Sequence, residues 1–178
     1  MNERIKNTLQ SIMSYYWKPN PVEFTYPKFI RTFKKVLIII PRQEQTNENI
    51  ADWCEKIIFA LGKKQINILS IGTPVEEFRE WSSQIIYFTD TDINFIGLVS
   101  SRVIQTIQKQ RFKLVVDLSP DFDFITAQIG LRAKIATRIG LSSTQYLDIA
   151  KRYFNLVVCG NFSQNYEPLI NMLFAGGR

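Results

Sequence analysis

The chain has no histidine in its 178 residues. That absence excludes Ser-His-Asp and Cys-His nucleophile pairs, imidazole metal ligands and histidine proton shuttles together. Cysteine is scarce too. Cys54 and Cys159 stand far apart, so neither a C-x-x-C redox pair nor a metal cluster is present. Cys159 closes the apolar run Leu156-Val157-Val158 and reads as a small buried hydrophobe. Two scattered cysteines fit a reducing, cytoplasmic setting. The start of the chain lacks the apolar core of about 7–15 residues that marks a signal peptide. No run reaches the ~20 apolar residues of a membrane span. Neither G-x-G-x-x-G nor G-x-x-x-x-G-K-[ST] occurs, which argues against dinucleotide and nucleoside-triphosphate enzymes of the usual kinds. The expectation is no cofactor and no metal.

What is present is an ordinary globular composition: 46% apolar and 21% charged residues, enough for one domain with a real core. The net charge of +6 is unevenly spread. Residues 1–35 carry seven basic and two acidic side chains, a net of +5, against fifteen and fourteen in the remainder. The body is close to neutral, so nucleic-acid binding, which needs a basic stripe on the folded domain, is disfavoured.

Periodicity divides the chain at residue 34. In residues 1–17, Ile5, Leu9, Ile12, Met13 and Tyr16 recur at steps of three and four, one face of an amphipathic helix. Pro19 and Pro21 end it, and residues 19–34 form a connector of prolines and aromatics. Such a basic segment docks on its own domain or a partner helix, or lies on an anionic membrane surface. A homodimer through its apolar face is a further reading. Residues 35–175 alternate strand and helix patterns, beginning with the β-branched run Val36–Ile40. Further strands are expected at Ile66–Ile71, Gln84–Thr89, Phe112–Leu118, Lys134–Ile139 and Asn155–Cys159. Helices are expected at Thr46–Leu61, Pro74–Trp81, residues 98–110, Phe122–Leu131 and Gln164–Phe174. This is the signature of a Rossmann-like, doubly wound α/β domain of about five or six mostly parallel strands.

In such sheets ligands bind at the carboxyl ends of the strands. The loop after the first strand offers Arg42 as an anion contact and Thr46 as a helix cap. Gly72 ends the second strand and Gly140 the fifth, with Ser142 in the loop beyond it. Asp117 ends the run Leu114-Val115-Val116, where a carboxylate is costly unless bonded. A backbone N–H at the start of the next helix, or Ser119, is its expected partner. That makes Asp117 chiefly structural, with a catalytic or ligand-binding role as the alternative. Asp121 and Asp123 fit the acidic start of a helix. Arg132, Lys134 and Arg138 read as a solvated basic face, and Phe95, within Asp92-Ile93-Asn94-Phe95-Ile96-Gly97, as a core plug.

The strand Phe112–Leu118, the segment Arg132-Ala133-Lys134 and Arg138-Ile139-Gly140 together resemble the N-terminal half of heptosyltransferase-type (GT-B) glycosyltransferases. Lys35–Ile39 agrees with that family's first strand, so the likeness covers roughly residues 35–140. The resemblance implies a Rossmann-like fold that takes the acceptor sugar. Those enzymes carry a Gly-Asp pair after the first strand, the Asp as base; this chain has Gln43-Glu44-Gln45 there, so the resemblance implies Glu44 as the candidate catalytic substitute, though not a match. They also need a second half for the nucleotide sugar, which the given sequence lacks. The chain is similar as well to a family of short bacterial α/β proteins sharing its basic N-terminal helix, the Asp92–Gly97 segment and Asp117-Leu118-Ser119. That likeness implies no activity. The expectation is a non-catalytic glycosyltransferase-like half-domain that binds a protein partner or an anionic membrane surface through residues 1–34. The alternative is an enzyme, or a sugar- or nucleotide-binding protein, using Arg42, Glu44, Asp117 and Ser119.

Overall fold

The computed structural model describes residues 33–42, 50–62, 65–72, 78–80, 82–162 and 165–175. The expected helix and connector of residues 1–32 lie outside them. So do Glu44, Thr46 and most of the expected Pro74–Trp81 helix.

Six strands form one parallel sheet: β1 Lys35–Ile39, β2 Gln65–Ile71, β3 Gln84–Phe88, β4 Leu114–Asp117, β5 Thr137–Ser142 and β6 Leu156–Cys159. Among the described residues five α-helices accompany them: α1 Ile50–Leu61, α2 Ser101–Lys109, α3 Phe124–Arg132, α4 Leu147–Ala150 and α5 Glu167–Ala175. The strand order is β3-β2-β1-β4-β5-β6, which confirms the Rossmann-like class.

The β-branched run of β1 feeds two cores at once, because successive strand side chains point to opposite faces. Val36, Ile38 and Ile40 join α1 and α5 residues such as Cys54, Ile57, Leu169 and Leu173 on one face. Leu37 and Ile39 join Val103, Ile104 and Ile107 of α2 on the other. β4 repeats the division, with Leu114, Val116 and Leu118 on the first face and Val115 on the second. Asp117 shares the second face with Val115 and is the residue that breaks this apolar pattern.

Several expectations need correcting. β5 runs over Thr137–Ser142, not Lys134–Ile139. Helix α3 ends late, with Ile135 N–H bonding back to Gly130 O at 3.0 Å and Lys134 at φ 59°, so Lys134 is a turn residue. Gly140 thus lies inside the strand rather than ending it. Phe154 covers it so closely that a Cβ there would sit 2.4 Å from the ring. Arg138 is no part of a solvated face: it is 4% exposed, its Nε donating to Tyr153 O at 2.6 Å and its Nη1 to Ile135 O. Burial lowers its pKa to about 10, so it stays charged at neutral pH. Cys159 is exposed rather than buried, at the last position of β6, the edge strand among the described residues.

Phe95 is not a core plug either; it is 79% exposed. Asn94 Oδ1 accepts the N–H groups of Ile96 and Leu98 at 3.0 and 2.9 Å, closing a tight turn with Gly97 at φ 88°. Ile93 and Val99 pair across its base and pack into the second core, which leaves Phe95 at the tip. Buried Gln128 of α3 anchors the turn, donating to Gly97 O at 2.6 Å and accepting from Val99 N–H at 3.3 Å.

Candidate functional site

The strand order reverses between β1 and β4, and their carboxyl ends frame the crevice where doubly wound folds take ligands. Leu118 N–H donates to Ile39 O at 2.9 Å, carrying the β1–β4 pairing to this edge. Pro41 is buried, and Arg42 turns toward the loop that leaves β4. Its Nε donates to Asp123 Oδ2 at 2.9 Å. The other oxygen of Asp123 accepts the Ile125 N–H at 2.8 Å and caps α3. One carboxylate thus satisfies a helix end and holds the first loop to the fourth. Its N-terminal helical role agrees with the sequence; its pairing with Arg42 had no sequence signal.

Asp121 makes the matching tie on the other side. Its Oδ1 accepts the N–H of Ser143 at 2.9 Å, and its Oδ2 accepts the Ser143 hydroxyl at 2.9 Å. Asp121 therefore joins the β4 loop to the β5 loop rather than serving the helix as expected. Ser142 is buried and its hydroxyl donates to Ser143 O at 2.9 Å, so it faces the fold, not the crevice. Gly72 lies past the end of β2, where its N–H donates to Phe88 O at 3.1 Å, separated from the β4 loop by β1.

Asp117 lies beneath this rim, 2% exposed. Oδ1 accepts the Ser119 N–H at 3.0 Å, the partner expected from sequence. Oδ2 is buried and bonded to no other group. Ser119 and Thr126 share a hydrogen bond at 3.1 Å close by. Thr126 also donates to Asp123 O at 3.1 Å. Burial pushes the Asp117 carboxyl up to about 7, against the pull of the Thr126 and Ser119 groups and with a smaller upward push from the Asp123 charge. On the other face Tyr166 donates its hydroxyl to Leu118 O at 2.7 Å, and burial raises its pKa well above the usual range. Neither Thr126 nor Tyr166 carried a sequence signal: Tyr166 acts through a contact 48 residues along the chain, and Thr126 reads only as one more residue of its helix.

The structure thus gathers Arg42, Asp117 and Ser119 of the expected site at one edge, with Asp121, Asp123 and Thr126, and sets Gly72 and Ser142 apart. Among the described residues no three His, Cys, Asp or Glu side chains form a cation site. None of their helices is long and apolar enough to cross a membrane. Two grooves, of about 400 and 570 Å³, lie away from the switch point: between α2 and α3, and between α1 and α5.

No protein-family model matches the chain, and no curated protein matches it in sequence. In structure it is similar to a mutant O-GlcNAc transferase of Thermobaculum terrenum, with TM-score 0.46 and 11% identity, over 85% of this chain and 33% of that one. The chain spans about a third of that protein's length, and the likeness is too distant to bear on activity.

Proposed function

We propose that this chain is a non-catalytic, glycosyltransferase-like half-domain that acts as a binding module, engaging an acidic protein surface through its basic residues 1–34. The observation that carries the reading is the fate of the described rim acids. Asp121 and Asp123 are both committed to tying neighbouring loops together, and Asp123 fills the α3 N-terminus that a phosphate would otherwise use. Acid–base chemistry requires a group within reach of its substrate, and Asp117 is sealed beneath them.

One observation favours a second reading, a sugar- or nucleotide-binding pocket: the unbonded Oδ2 of Asp117. A small shift of the β4 loop would offer that oxygen to a ligand hydroxyl.

A thermal-shift screen of the full chain against nucleotides, nucleotide sugars and phosphosugars separates the two. A ligand at 100 times its dissociation constant adds about 2.7 kcal/mol, several degrees for a protein of this size. The binding module gives no shift. A shift that vanishes in Arg42→Ala overturns it in favour of the pocket. Binding to anionic vesicles in place of any protein would show that residues 1–34 serve a membrane.

A further inference from the structure

The groove between α1 and α5 differs in character from the rest of the surface. Ile58, Phe59, Ile170 and Phe174 line it, with only Glu55 and Lys56 polar at its rim. Phe59 is 76% exposed and Phe174 39% exposed, their rings edge to face at 6.1 Å. Two phenylalanines paired on the outside of a domain leave apolar area in water, at a cost proportional to that area.

The chain itself supplies a segment that fits. Thirty-two residues precede the described structure at Phe33, and Phe33 packs against the same core that α1 and α5 cover. The entry point lies at the same end of the sheet as the groove. Gln65 N–H donates to Lys34 O at 2.9 Å, and the helix ending at Leu61 leads directly to Gln65. Residues 18–32 reach about 50 Å when extended, farther than a domain of this length is wide. Ile5, Leu9, Ile12, Met13 and Tyr16 form an apolar stripe at the spacing that helix-in-groove docking uses. A tethered segment meets its groove at an effective concentration near millimolar, so modest affinity suffices.

We propose that residues 1–17 dock as a helix in the α1–α5 groove of their own chain, Ile5, Leu9 and Ile12 covering Phe59 and Phe174. The docking is independent of whether the switch point binds a ligand. In the binding-module reading it makes the groove the resting place of the very segment that engages the partner, so the partner must compete with the groove for it.

Hydrogen exchange on the full-length chain tests this. In the native protein, amides of residues 5–16 are expected to exchange at least about tenfold more slowly than in an unfolded chain, at a rate independent of protein concentration. Phe59→Ser removes that protection and leaves β1 and β4 protected. Leu9→Ser, outside the groove, produces the same loss. Free exchange of residues 5–16 in the native chain overturns the proposal. Protection unchanged in Phe59→Ser overturns it by placing the segment elsewhere, and protection that grows with concentration overturns it in favour of a second copy.

Discussion

Arg42 and Asp123, 81 positions apart, meet at 2.9 Å across the point where the strand order reverses. The carboxylate that holds Arg42 also caps α3, so the two residues are unequal partners. Asp123→Ala loses the cap, about 1 kcal/mol, together with the ion pair. Arg42→Ala leaves the cap in place and loses the pair, which contributes about 0.5 kcal/mol because the guanidinium is partly exposed. Thermal unfolding should show the larger fall for Asp123→Ala. The double variant should lose less than the sum of the two single losses, since the shared contact is lost once. Additive losses would mean that the pair contributes nothing.

Asp117 should make stability depend on pH in an unusual direction. Its folded pKa, near 7, lies above the usual value near 4. Below pH 4 the carboxyl is protonated in both states and adds no pH dependence. Between pH 4 and 7 the unfolded chain releases the proton while the folded one keeps it, so stability falls as pH rises, by at most about 1.4 kcal/mol per pH unit. Asp117→Asn should flatten that slope in denaturant titrations at pH 5, 6 and 7. An equal slope in both proteins would refute the assignment.

Gly140 has a neighbour that no larger residue tolerates. Gly140→Ala places a methyl 2.4 Å from the Phe154 ring, and overpacking of this kind costs about 1–3 kcal/mol. The melting temperature should drop, and Gly140→Ala combined with Phe154→Leu should recover part of the loss. No change in the single variant would contradict the close packing.

The two cysteines should separate cleanly by reactivity. Cys159 is exposed, while Cys54 is buried and burial raises its thiol pKa far above its usual value. A thiol reagent should titrate one group per native chain quickly and the second only on unfolding. Two fast thiols would show that α1 opens readily.

The architecture was legible in the sequence because β1 and β4 are apolar runs, and runs of that kind belong to strands covered on both faces. Asp117 was legible for the same reason, as a carboxylate ending such a run. The misreadings share another cause. The chemical character of Arg138, Phe95 and Cys159 suggests one exposure, whereas position in the fold sets another. Arg138 ends among carbonyls left open by Ile135 and Tyr153, Phe95 is carried outward by the Asn94 turn, and Cys159 lies on the last strand. The contacts that organise the switch point, Arg42 with Asp123 and Asp121 with Ser143, join loops distant in sequence, and no local pattern encodes them.

The position of β1 between β2 and β4 also bears on how the protein is made. One side of Val36–Ile39 finds its partner soon, in β2. The other waits for Leu114–Asp117, which a ribosome working at about 5–20 residues per second delivers only some seconds later. During that interval the buried apolar run Val36–Ile39 presents an open hydrogen-bonding edge to the cell. Nascent chains stalled short of Asp117 are therefore where aggregation and chaperone capture should concentrate.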